Sequence, residues 1–187
     1  MGLQLQSMAI EMPPVARHPN RIPFAGVLTM IDTPSDKAPS GARGHRVMLT
    51  KAATDRALPS LLGMALDYAP MLDRHDARRK VGIITSAEVL PGSAVNPTQP
   101  ATGCVGHSQK PALLQISGYL FAKDFPEIVR EIRTRGRAGL GMSYEIADAH
   151  VDDAKASIWI VSDFTFTGAA LLRREKAAYR ETWIEIS

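Results

Sequence analysis

Leu113-Leu114-Gln115-Ile116-Ser117-Gly118-Tyr119-Leu120-Phe121-Ala122 has the alternating character of a strand with one buried face. The period then changes. From Asp124 onward, Phe125, Ile128, Val129 and Ile132 recur at helical spacing until Gly136, a residue type that commonly ends helices. Leu140 to Ala147 returns to strand character, and Ser157 to Phe166 adds a further strand beyond the polar stretch Asp148 to Asp153. Upstream, the same reading predicts strands over Phe24 to Ile31, His45 to Leu49 and Val81 to Leu90. Thr50 is placed to cap a helix running to Gly63, with Leu58, Leu61, Leu62 and Ala65 as its apolar stripe and Pro59 bending it. Strands outnumber helices and no regular strand–helix alternation occurs. The predicted class is therefore α+β, a mainly antiparallel, barrel-like β-sheet with a few surrounding helices.

The 187 residues suffice for one core without staples. Pro13-Pro14 and Pro19-Asn20 interrupt any periodicity near the start, so residues 1–22 read as an extended arm and residues 23–187 as a single domain. With 45% apolar and 22% charged residues, the composition excludes wholesale disorder. The net charge of +3 comes from dispersed Lys and Arg with acidic neighbours, so no basic stripe for nucleic acid is expected. No apolar run approaches the roughly 20 residues needed to cross a bilayer, and the first residues lack a secretion pattern. A single cysteine, Cys104, rules out an intrachain disulfide and a cysteine-rich metal site, and fits a reducing compartment. Its setting, Ala101 to Ser108 with His107 nearby, belongs to a Pro- and Gly-rich stretch from Pro91 to Pro111 and reads as a turn within a long exposed loop. Ser40-Gly41-Ala42-Arg43-Gly44 matches neither phosphate-binding glycine pattern and reads as an ordinary turn.

Two segments carry chemistry. Met71-Leu72-Asp73-Arg74-His75-Asp76-Ala77-Arg78-Arg79-Lys80-Val81-Gly82 offers an imidazole that titrates near neutrality. Gly139-Leu140-Gly141-Met142-Ser143-Tyr144-Glu145-Ile146 offers a hydroxyl that can attack once a base removes its proton. Together they point to serine-hydrolase chemistry. A competing reading takes Asp67, Asp73, His75 and Asp76 as ligands of a metal-dependent phosphohydrolase. It would require further histidines at ligand spacing, and His18, His45, His107 and His150 lie in arms, loops or strand ends, so no metal and no cofactor is expected.

The order of these elements resembles the prohead proteases of tailed phages, whose fold is similar to the herpesvirus assemblin proteases. The similar stretches are His75-Asp76-Ala77-Arg78-Arg79-Lys80-Val81-Gly82, then the Leu113 to Ala122 strand, the Phe125 to Ile132 helix, Gly136, and the Leu140 to Ile146 strand. The resemblance covers approximately Phe24 to Leu172. It implies an assemblin-like serine endopeptidase in which Ser143 attacks, His75 moves the proton and an acidic residue orients the imidazole. Family members often carry that acid in the last strand. Thr165 falls at its position here, which makes Asp163, two residues away, the expected third member, with Asp76 and Glu145 as competitors. Where many members read Gly-aliphatic-Ser-aliphatic-Gly-aromatic, this chain reads Gly141-Met142-Ser143-Tyr144-Glu145-Ile146, a departure in the second half.

The resemblance further implies cleavage of phage scaffold and major capsid proteins, with self-cleavage, inside the procapsid in the bacterial host cytoplasm. It implies a homodimer or higher oligomer, with the Phe125 to Ile132 helix as the interface candidate. No helical extension follows Trp183, so the scaffold is expected to be a separate chain. The non-enzymatic alternative is a capsid-associated structural or scaffold protein that keeps the fold without turnover.

Overall fold

Thr50 begins the first helix as its position predicts. Its Oγ1 accepts the Ala53 N–H at 3.2 Å, satisfying one of the donors a helix start leaves open. The helix is shorter than the spacing suggests, since Pro59 turns it into a 3₁₀ segment over Leu58–Leu61 after only two turns. In the computed structural model, residues 7–13, 15, 17–92 and 111–187 are described. Cys104, His107 and most of the Pro91 to Pro111 loop lie outside them.

In chain order the elements are β1 (Ser7–Ala9), β2 (Ile22–Ile31), β3 (Arg46–Leu49), α1 (Lys51–Ala57), β4 (Ala65–Tyr68), β5 (Lys80–Leu90), β6 (Ala112–Leu120), α2 (Pro126–Gly139), β7 (Leu140–Val151), β8 (Ile158–Arg173) and β9 (Trp183–Ile186). The class is α+β and rich in strands. One curled sheet runs β3-β8-β4-β5-β6-β2-β9, with β1 added on β5 and β7 on β8. Most pairings are antiparallel, but β3 and β4 both run parallel to β8. The sheet is therefore mixed and forms a half-barrel rather than the mainly antiparallel barrel expected. The parallel pairs arise because α1 and its 3₁₀ extension carry the chain between β3 and β4 as a crossover on one side of β8.

Ala65, expected in the helical stripe, instead opens β4, a strand missed in the sequence; β9 was missed as well. Inside the expected arm, Ser7–Ala9 adds to β5, and Ile10 N–H donates to the Thr85 carbonyl at 2.7 Å. The curl brings β2 against β7, where a Cβ on Gly26 would lie 2.6 Å from Met142 Sδ. Leu28, Ile31, Leu66, Ile84, Leu114, Ile116, Met142 and Phe166 fill the space between. Ile128 and Ile132 of α2 belong to the same core. No helix among the described residues is long and apolar enough to cross a membrane.

Gly118 marks the tightest approach between strands, since a Cβ there would stand 1.9 Å from the Ile83 carbonyl oxygen, which is backbone and cannot swing away. Gly118→Ala is expected to lower unfolding stability by about 1–3 kcal/mol through forced strand separation, measured by urea titration. An unchanged midpoint would mean that β5 and β6 separate freely at this point.

Candidate active site

β4 sends Leu66 and Tyr68 into the core, so strand alternation turns Asp67 to the opposite face. The connection between β4 and β5 folds back across that face. Leu72 anchors it: the residue is buried despite a left-handed φ of 52°, and its carbonyl accepts the Arg173 N–H at 2.7 Å. A turn closed by Arg79 N–H to the Asp76 carbonyl at 2.9 Å completes the loop. Asp67 is thereby fully buried, at 0% exposure. Its Oδ1 accepts the Asp76 N–H at 3.3 Å, and its Oδ2 lies 3.4 Å from Lys80 Nζ.

β7 supplies the other half of the site. Met142 and Tyr144 pack towards the core, which leaves Ser143 and Glu145 on the same face as Asp67. Ser143 is paired with Ala170 of β8, and Ala170 with Asp67 of β4, so the three form a row across three strands. In the next row Glu145 is paired with Gly168, where a Cβ would stand 2.6 Å from Glu145 Oε2. The missing side chain is what lets the carboxylate lie against the sheet. There it meets the loop: His75 Nδ1 and Glu145 Oε1 are 3.0 Å apart, and each side chain is 24% exposed. A carboxylate only accepts, so Nδ1 carries the proton in this pair and Nε2 is left to act as a base.

One ligand-type atom from each of Asp67, His75 and Glu145 lies within 4.8 Å of the others. Burial pushes the Asp67 carboxyl above its ordinary range, and the neighbouring Glu145 carboxylate raises it further, against the opposing pull of the Asp76 N–H and His75. Two carboxylates and an imidazole are also a donor set able to hold a divalent cation.

The structure thus brings His75 and Ser143 onto one face, His75 through the loop and Ser143 through strand register. Asp163 is not with them. Its side chain is 71% exposed, stands 3.8 Å from Arg56 Nη2, and is paired with His150, roughly 16 Å along β8 from the Gly168 row at about 3.3 Å per residue. Asp76 turns its carboxylate to its own loop, accepting the Arg78 N–H at 3.1 Å. The carboxylate at His75 is Glu145. Asp67 enters the sequence reading only as a candidate metal ligand with Asp73, His75 and Asp76; Gly168 and Ala170 do not enter it. The small-residue run Gly168-Ala169-Ala170 was the available signal, since two small side chains on one strand face leave room for functional groups from its neighbours. Gly141 is also required, because Thr182 and Ala177 pack where its Cβ would be, and Thr182 Oγ1 accepts the Met142 N–H at 3.1 Å, fixing β7 just before Ser143. Comparison with protein-family models, characterised proteins and solved structures finds no match to this chain.

The raised Asp67 pKa has a stability consequence. The folded state holds that proton more tightly than the unfolded chain, whose value is near 3.8, so Asp67 subtracts stability as pH rises from 3.8 through its folded value. Asp67→Asn, which keeps an acceptor for Asp76 N–H and removes the charge beside Glu145, is expected to melt higher than the wild type at pH 7–8. The gain should shrink towards zero as pH falls to about 3.8. Melting curves of both proteins across this range check it. A difference independent of pH would show that Lys80 and His75 already neutralise the buried charge.

Proposed function

We propose that this chain is a serine endopeptidase of the prohead-protease type, with Ser143 as nucleophile, His75 as general base and Glu145 as the carboxylate that orients the imidazole. The observation supporting it is the 3.0 Å pairing of His75 Nδ1 with Glu145 on the face that also presents Ser143. His75 Nε2 takes the Ser143 proton as Oγ attacks the scissile carbonyl, then returns it to the leaving amine. Water, deprotonated by the same nitrogen, releases the acyl group from Ser143. Glu145 holds one tautomer and offsets the charge of the imidazolium as it forms. The departure from the family pattern after Ser143 acquires a role on this reading, because Glu145 stands where many members have glycine and supplies the acid that Thr165 does not.

The α+β class and the strand-rich, curled sheet support this reading at the level of fold class, though the sheet is mixed rather than antiparallel. The substrates on this reading are phage scaffold and major capsid proteins, cut inside the procapsid in the host cytoplasm, with self-cleavage, by a homodimer or higher oligomer.

Co-expression with phage capsid and scaffold proteins, followed by product masses, tests the proposal. Ser143→Ala and His75→Ala are expected to lose cleavage by on the order of 10³-fold or more while remaining folded. Glu145→Gln should lower the rate substantially. Ser162→Ala, whose hydroxyl bonds Asp152, and Asp163→Asn, whose carboxylate faces Arg56, should leave it unchanged. Intact substrates in a wild-type shell that otherwise assembles would assign a non-catalytic structural role instead.

A further inference from the structure

We infer that the face carrying His75 binds a divalent cation of the zinc type, held by one carboxylate oxygen each from Asp67 and Glu145 and by Nδ1 of His75. The three ligands come from β4, the β4–β5 connection and β7, and their donor atoms already lie within 4.8 Å of one another. Tetrahedral zinc with bonds of about 2.0–2.2 Å requires donors about 3.3–3.6 Å apart, so binding draws the three atoms closer together. His75 and Glu145 are accessible enough to admit an ion, each with 24% of its side chain exposed.

The buried carboxylate is the independent observation that points to a ligand. Asp67 is at 0% exposure; beside the neighbouring Glu145 carboxyl, its oxygens meet the Asp76 N–H at 3.3 Å and Lys80 Nζ at 3.4 Å, both longer than the 2.7–3.2 Å of good hydrogen bonds. A carboxyl so placed is paired, kept protonated or bound to metal. Lys80 Nζ is the cation beside it, and at 3.4 Å it offsets one of two carboxylates. Gly168 holds Glu145 down towards Asp67, where an added Cβ would push it off the sheet. The imidazole favours zinc over calcium or magnesium, which prefer sets made of oxygen alone.

Coordination through Nδ1 requires that nitrogen to lose its proton, and so replaces the hydrogen bond to Glu145. Resting on the proposed protease reading, the bound ion is an off-switch: with Nδ1 on the metal the ring's proton sits on Nε2, so Nε2 no longer takes the Ser143 proton. Binding itself does not depend on that reading.

The test titrates zinc ions into the full chain, stripped of metal with a chelator, by calorimetry and by competition with a chromogenic chelator. One ion per chain at micromolar or lower free zinc is expected. The affinity should fall at least ~100-fold, or by ~2.7 kcal/mol, in His75→Ala and in Glu145→Gln. It should persist in Ser143→Ala and in His45→Ala, whose ring is stacked on Trp159. Asp67→Asn serves as a third variant once its melting curve shows it folded. No saturable binding, or binding that survives both His75→Ala and Glu145→Gln, would overturn the site. Labelling of Ser143 by a fluorophosphonate probe should be suppressed by zinc at the binding concentration and restored by chelator. Labelling untouched by saturating zinc would overturn the switch. If the wild type neither cleaves nor labels without zinc, the protease reading fails while the binding result stands by itself.

Discussion

β8 is sixteen residues long and pairs with β7 over most of that length, and one register shift in this pairing decides which side chains meet in the site. Glu145 is paired with Gly168, and Ile146 with Phe166, so Thr167 is an extra residue on β8. A residue added to one strand flips every side chain beyond it. Before Thr167, Phe164 and Phe166 face the core. After it, Ala169 and Leu171 do, and the smaller Gly168 and Ala170 are left on the site face. Without the shift, Glu145 would be paired with Thr167, whose branched side chain would occupy the ground on which the carboxylate rests.

That shift also explains how much of the molecule was legible. The apolar and β-branched runs of β2 and β5 and the alternation of β6 mark those strands, as does Thr50 the start of α1; Gly136 takes a left-handed φ of 56° inside α2. His75 and Ser143 were singled out because few residue types do their chemistry. A step of two from Thr165 along β8 points to Asp163 as the orienting carboxylate. Asp163 does share a strand face with Thr165, and lies too far along it to reach the imidazole. Choosing among Asp163, Asp76 and Glu145 required knowing which rows of different strands stand side by side, and pairing register is a property of non-local contacts. β4 escaped for a related reason. Ala65-Leu66-Asp67-Tyr68 is too short for its period to register, and only its neighbours on both sides make it a strand.

Asp67 shows what the fold sets against this arrangement. Leu66 and Tyr68 on either side of it are core residues, so strand geometry offers Asp67 only the opposite face, and the His75 loop seals that face over. The loop cannot be lifted to rehydrate the carboxylate without withdrawing Leu72 from the core and breaking its bond to the Arg173 N–H. Burial of Asp67 and placement of His75 are therefore one structural event. A chain selected for stability alone would carry an apolar residue at 67, as buried charges contribute little to net stability and are costly when incompletely paired. Strain of this kind, confined to one end of one sheet and beside the imidazole, is more economically explained by what the carboxylate does to Glu145 and His75 than by any service to the core.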